Sequence, residues 1–364
     1  MKTVNQNLQT EAVAHSLFVS RYASGEAARM VRFLDEMDGE LEARLYVAVN
    51  RLPEGDFRLT HLQSNMKSLQ KLTEDLYAKA FGAFGDDLLK ATEYELDYNH
   101  RLFGKYLPDQ ILQDFPLAAV SPEQVYAAAT ARPFQGKLLS EWAEDLSDDR
   151  LARIERAVQA GYIAGETTDQ IVRRVMGTKA NGYADGVIEA NRRNVKAVVR
   201  TAISHFAATA RKKFAQANAD LLTSLKWLST LDGRTTPACQ IRDGKSYTLD
   251  GEPIGHEIPY GDGPGRLHFG CRSTELLVTK SWKDLGYNIG ELKPATRASM
   301  DGQVPADTNY KEWLMAQPIA RQIQVLGKTR VNAIKKGDLT FDQLYNERGM
   351  FLTLDELKKI DEHM

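Results

Sequence analysis

Both cysteines of the 364-residue chain fall in one short stretch, together with the residue types from which tight turns and chemistry are made. It runs Thr230-Leu231-Asp232-Gly233-Arg234-Thr235-Thr236-Pro237-Ala238-Cys239, then Asp243-Gly244, a polar glycine-rich loop, and His268-Phe269-Gly270-Cys271-Arg272. Just before it, Leu222 to Ser229 alternates as a strand does, with Leu225 and Trp227 on one face and Lys226 and Leu228 on the other. Just after it, Ser273 to Val278 reads as a returning strand, so the pattern predicts a loop closed by two strands that pair.

Around this stretch the chain is helical. Met30, Leu34, Met37, Leu41, Leu45 and Ala48 recur at steps of three and four within a helix from Glu11 to about Asn50, ended by Pro53-Glu54-Gly55-Asp56. A second stripe runs from Leu59 to Ala80. The Gly82-Ala83-Phe84-Gly85-Asp86 segment is expected to break it from a third, at Leu89, Leu96, Phe103 and Leu107. Three such helices predict an antiparallel bundle, and the stripes are core rather than a cofactor groove.

Residues 108–136 read as a linker with short helices, Ser121 capping one that begins at Pro122. A helix follows from Lys137 to the Gly161–Gly165 region, and Thr168-Asp169-Gln170 opens a short one ending near Gly177. The helix from about Val187 to Ala217 buries Val195, Val199, Ala202, Phe206, Ala210 and Phe214. Its other face carries Arg192, Arg193, Lys196, Arg200, Arg211, Lys212 and Lys213. Such a face is ordinarily a solvated rim, with DNA phosphate contact the alternative. Arg297 to Pro305 reads as a turn-rich connector. Helices follow around Tyr310 to Ala316 and Ile319 to Leu326, and Thr353 caps a last one with Glu356 three residues on.

A chain of this length exceeds one ordinary hydrophobic core. The pattern predicts a predominantly helical α+β protein: an N-terminal helical bundle over 1–107, a linker over 108–136, a middle domain over 137–290 that packs the long helix on a small antiparallel sheet, and a helical tail over 291–364. A net charge of -2 gives no global attraction for nucleic acid or an acidic membrane. No apolar run is long enough to span a bilayer and no secretory leader opens the sequence, so a cytosolic chain without a membrane anchor is expected, its cysteines starting as thiols.

Three chemistries compete for the central stretch. Cys239, His268 and Cys271 are zinc-ligand types, with His256 or Asp243 as a fourth, but one half of the pattern offers a single cysteine where structural sites usually pair two. Cys239 and His268 as nucleophile and base would need Asp232 or Asp243 to orient the imidazole, and no helix N-terminus signal surrounds Cys239. The favoured reading makes Asp232, Arg234, Asp243 and Arg272 struts that satisfy a long loop, with Asp243-Gly244 in a turn and the cysteines buried.

These same residues, Asp232 to Cys239, Asp243-Gly244 and His268 to Arg272, resemble the signature of the phage Mu F-like minor head proteins, also called phage head morphogenesis proteins. Arg200-Thr201-Ala202-Ile203-Ser204-His205-Phe206-Ala207 is similar to the helix that precedes it. Ala298 to Pro305, Tyr310 to Trp313 and Leu352-Thr353-Leu354 are similar to the tail of one branch. The resemblance covers roughly residues 137–364. It implies a structural virion component, placed inside the head near the portal after synthesis in the host cytoplasm, with portal or major capsid protein and packaged DNA as partners. It implies no catalytic residues and no cofactor. The runner-up readings are a cysteine- or metal-dependent enzyme and a DNA-binding internal protein. Thr236 and Ser273 stand where many members have further cysteines, which implies that Thr236 lies near Ser273 and Cys239 near Cys271. The two sulfurs should then be separated by the ~2 Å of a disulfide or the ~4 Å of packed thiols.

Overall fold

Spacing of the apolar residues sets most helix positions in the computed structural model, which describes residues 3–52, 59–287, 296–353 and 355–357. The first long stripe forms α1 (Val4–Asp35) and α2 (Asp38–Asn50) rather than one helix, with a turn at Glu36 and Met37. Ion pairs hold that turn. Arg192 reaches both Asp35 and Asp38, and the buried Arg150 donates to Asp38 at 2.6 Å. Asp38 and Glu40 also lie in the first turn of α2, where the helix dipole favours negative charge. The expected stop at Pro53 to Asp56 lies outside the described residues.

No break occurs at Gly82 to Asp86. α3 (Leu59–Tyr106) is continuous over 48 residues. Gly82 and Gly85 both keep helical backbone, and Phe81, Phe84 and Leu88 around them are buried. A mid-helix glycine costs only about 1 kcal/mol relative to alanine, less than burying one such side chain returns.

The helices α4 (Asp109–Asp114), α5 (Pro122–Thr130), α6 (Leu139–Ile163), α7 (Thr168–Met176) and α8 (Ile188–Ala217) follow closely as expected. Ser121 accepts the Gln124 N–H at 3.2 Å, and α7 is capped by Thr167, one residue before the expected start.

The chain forms two compact units, residues 1–20, 92–125 and 205–364 in one and residues 21–91 and 126–204 in the other. These bounds are placed differently from the expected ones at 107, 136 and 290. α1, α3 and α8 each pass from one unit into the other, so an apolar stripe that looks uniform along a helix serves two cores. Leu62, Met66, Leu69 and Leu72 of α3 belong with Ile154, Val158, Ile171 and Val175. Leu96, Phe103 and Leu107 of the same helix belong with Phe214, Leu225 and Leu276.

In the unit that contains the motif, β1 (Leu222–Leu228) leads through a short helix α9 (Pro237–Gln240) to β2 (Ser246–Tyr247), β3 (Pro253–Ile254) and β4 (Thr274–Thr279). They make an antiparallel sheet in the order β3-β2-β1-β4. The predicted pairing of the two flanking strands is β1 with β4, in register Leu225 to Leu277 and Trp227 to Glu275. Trp227 is fully buried and its indole N–H donates to Ser229 Oγ at 3.0 Å. One sheet edge is the two-residue β3, which starts at a proline. The other, β4, is buried along most of its length and carries the buried Glu275.

Where a connector was expected, β5 (Thr296–Ser299) and β6 (Gly302–Pro305) form a hairpin, its reversal eased by Gly302 at φ 114°. α10 (Tyr310–Met315) and α11 (Ile319–Leu326) match expectation, and α12 (Lys328–Lys336) adds a helix the apolar pattern did not reveal. Residues 296–357 are no detached tail. Leu231 and Ile241 of the motif share a core with Tyr310, Trp313, Leu326 and Leu344. Thr353 and Glu356 exchange the expected capping bonds.

Because nothing lies within 4 Å of a Cβ added at Gly82, Gly82→Ala is expected to raise unfolding free energy by about 0.5–1 kcal/mol. Urea denaturation checks this; a loss of stability would mean that α3 bends there.

Candidate functional site

Asp243 is the most heavily bonded residue of the motif. Its side chain is fully buried. Oδ1 accepts Ser229 N–H at 2.6 Å and Arg297 Nη2 at 2.7 Å; Oδ2 accepts Arg297 Nη1 at 2.9 Å and Tyr310 N–H at 2.7 Å. The same guanidinium donates to the carbonyls of Ser229 and Thr308. Gly244, at φ 78°, turns the chain so that its N–H meets Trp227 O and Trp227 N–H meets Lys245 O, each at 2.9 Å. One carboxylate thus joins the end of β1, the start of β5 and the N-terminus of α10.

Asp232 forms a second brace. Arg272 grips it with two bonds of 2.6 and 2.8 Å, and it accepts the Arg234 N–H and the Thr235 hydroxyl. Its own carbonyl accepts Tyr310 OH at 2.9 Å. Burial pushes the Asp232 carboxyl upward, but the Arg272 hydrogen bonds and charge more than reverse this and hold it below its ordinary value of 3.8. Arg234 is not the strut expected of it. Its side chain is 85% exposed and only 4.0 Å from Asp232 at best; the backbone N–H makes the bond.

The sulfurs of Cys239 and Cys271 lie 3.7 Å apart as free thiols, in the range expected for packed thiols. His268 Nε2 is 3.4 Å from the Cys239 sulfur and 2.9 Å from Thr236 Oγ1, while Nδ1 is 3.0 Å from Phe269 O. Thr236 stands at the N-cap position of α9, without a side-chain capping bond, and Pro237 opens the helix, so a short helical start does precede Cys239. Thr236 and Ser273 line the same small space beside Cys239, and Thr236 also meets His268 Nε2 while Ser273 donates to Ser229 Oγ.

Hydrogen bonding from Cys239, opposed by burial and aided by His268, holds the Cys271 thiol well below the usual range. Hydrogen bonding to Cys271 raises Cys239, and it raises His268 against the effect of burial. Both sulfurs are buried, and the adjoining space is about 20 Å³, enough for one water. His256 and Asp243 do not join this cluster. His256 Nε2 meets Ser246 O at 2.9 Å, and Asp243 is fully engaged with Arg297.

The basic face of α8 is not a continuous phosphate-binding stripe. In one unit Arg192 is buried among Asp35, Asp38 and Glu189, leaving Arg193 and Arg200 exposed and Lys196 half-buried. In the other, Arg211 is buried against Glu95 at 2.7 Å and Glu275 at 3.7 Å, and Lys212 donates to Asp250 O; Lys213 is exposed. Glu95 also takes His15 at 2.6 Å. Burial pushes this carboxyl up, but Arg211 and His15 together hold it below its ordinary value.

Residues with no local signal complete the site. Ser229 and Arg297 hold Asp243. Gln240 donates to Thr235 O and accepts from Tyr345 OH, and Arg242 donates to the carbonyls of Ala238, Pro259 and Arg348. Their partners lie up to 106 residues away, beyond the reach of any short motif. Among the described residues, no helix is long and apolar enough to cross a membrane. No protein-family model, curated protein or solved structure matches this chain.

Arg297→Met strands a buried carboxylate and is expected to lower unfolding free energy by about 3–5 kcal/mol in urea melts followed by tryptophan fluorescence. Lys311→Ala, which removes an exposed pair with Asp342, should cost no more than ~1 kcal/mol. The depressed Asp232 carboxyl contributes stability that is fully present above its unfolded value of 3.8 and fades as pH falls through the lower folded value. The stability gap between wild type and Arg272→Gln should therefore stay constant from neutral pH to about 5 and narrow below it; a gap that widens on acidification would contradict the sign.

Proposed function

We propose that this chain is a structural minor head protein of a tailed bacteriophage, residing inside the head near the portal and assisting head assembly. The observation that carries this reading is where the motif spends its polar groups. Asp232, Asp243 and Arg272, the residues shared with the phage Mu F-like signature, are spent on internal bracing, and the two thiols are buried beside a space too small for a substrate. An enzyme of either runner-up class needs a reachable nucleophile or open ligand position together with substrate room. A rigid adaptor needs neither. Its partners on this reading are the portal or major capsid protein. DNA contact is the weaker alternative, because Arg192 and Arg211 are committed to buried acidic partners.

Mass spectrometry of purified virions from a phage that encodes the chain should find its peptides in DNA-filled heads. Absence from the particle overturns the proposal. Depletion from emptied heads would mark it as a protein that leaves with the DNA, and equal amounts in both would mark it as resident.

A further inference from the structure

We propose that Cys239 Sγ, Cys271 Sγ and His268 Nε2 form a zinc-binding site whose fourth position faces the Thr236 hydroxyl. The inference concerns the chain's own donor atoms and is independent of any virion role.

The donor atoms lie within 4.8 Å of one another, the only such group of histidine, cysteine and acidic side chains of this kind among the described residues. Tetrahedral zinc with Zn–S near 2.3 Å and Zn–N near 2.0–2.1 Å requires donor separations of about 3.8 Å between sulfurs and about 3.5 Å from sulfur to nitrogen. Cys239 Sγ is 3.7 Å from Cys271 Sγ and 3.4 Å from His268 Nε2, and the third pair, Cys271 Sγ to Nε2, lies within 4.8 Å, so a small shift of the imidazole completes the geometry. Two thiols in simple contact would satisfy the first distance alone. The imidazole decides the matter. Nδ1 is 3.0 Å from Phe269 O, the outer bond by which a zinc-ligating histidine is usually oriented; in the tautomer that donates there, Nε2 is an acceptor 3.4 Å from the Cys239 sulfur.

Donor chemistry selects the metal. Thiolates and imidazole suit zinc and are poor ligands for calcium or magnesium, which take oxygen. Two thiolates and a neutral imidazole around Zn²⁺ carry no net charge, which suits a site whose sulfurs are buried. Each thiol that binds gives its proton to solvent.

The fourth position is accounted for locally. Thr236 Oγ1 lies 2.9 Å from Nε2, and the space of about 20 Å³ lined by Thr230, Thr236, Arg272 and Ser273 admits one water-sized donor. A bound ion would tie α9 to the residue stretch entering β4, closing both ends of the loop without an oxidising environment.

The full chain, purified in reductant without chelator, should carry about one zinc per molecule by elemental mass spectrometry. After stripping, Co²⁺ should restore an absorption spectrum with thiolate-to-cobalt charge transfer and tetrahedral ligand-field bands, which Zn²⁺ then bleaches. Cys271→Ser should lose stoichiometric binding. Thr236→Cys supplies a fourth thiolate at the open position and should tighten Zn²⁺ in chelator competition by about tenfold or more, a gain that misfolding cannot mimic. The proposal is overturned if the stripped wild-type chain, folded by circular dichroism, takes up neither ion, if the cobalt spectrum lacks thiolate charge transfer, or if Cys271→Ser binds as tightly as wild type. Unchanged affinity in Thr236→Cys overturns the assigned fourth position.

Discussion

A carboxylate with no exposed surface must find partners or give up its charge, and Asp243 finds four donors from three separate segments. The end of β1 supplies a backbone N–H, β5 supplies a guanidinium, and α10 supplies the N–H at its first turn. Withdrawing the guanidinium would leave a buried charge uncompensated, at a cost of several kcal/mol, and withdrawing either N–H would remove a charge-assisted hydrogen bond. The pair therefore specifies where the last sixty or so residues dock, while the apolar cluster of Leu231, Ile241, Tyr310 and Trp313 supplies most of the burial energy. Charge fixes the position and hydrophobic contact gives it strength.

Chemistry and irregular backbone recruit the same side chains. A loop with little regular hydrogen bonding must satisfy its peptide groups through Asp, Thr, Arg and Gln. Asp232 with Arg272, Gln240 with Thr235 and Tyr345, and Arg242 with three carbonyls do this here. Beside Cys239 the free space of about 20 Å³ is of the size of one water.

Much of the architecture was legible in the sequence. The pairing of β1 with β4 followed from alternation on both sides of the loop, and the helices from Lys137 to Ala217 followed from their period. The proximity of the two sulfurs was an implication of the family resemblance, and the separation of 3.7 Å agrees with it. Other features escaped for identifiable reasons. Gly82 and Gly85 look like punctuation, yet flanking buried aromatic residues outweigh their helix cost. Arg192 and Arg211 look like a basic face because the acidic residues that neutralise them, Asp35, Asp38, Glu95 and Glu275, are remote in sequence. The division into two units is invisible to periodicity, since α3 keeps one stripe while its partners change. The helix start at Thr236-Pro237 was not read from the sequence, because α9 is too short to show a period.

The sheet that carries the motif also controls what it can do in company. Unpaired strand edges invite copies of a chain to add to one another, and long flat edges are the usual starting point of aggregation. Here β3 offers two residues, one of them a proline without an N–H, and β4 is covered along most of its length with a charged side chain turned inward. Against a second copy of the chain, the described edges of this sheet offer no ready template for growth.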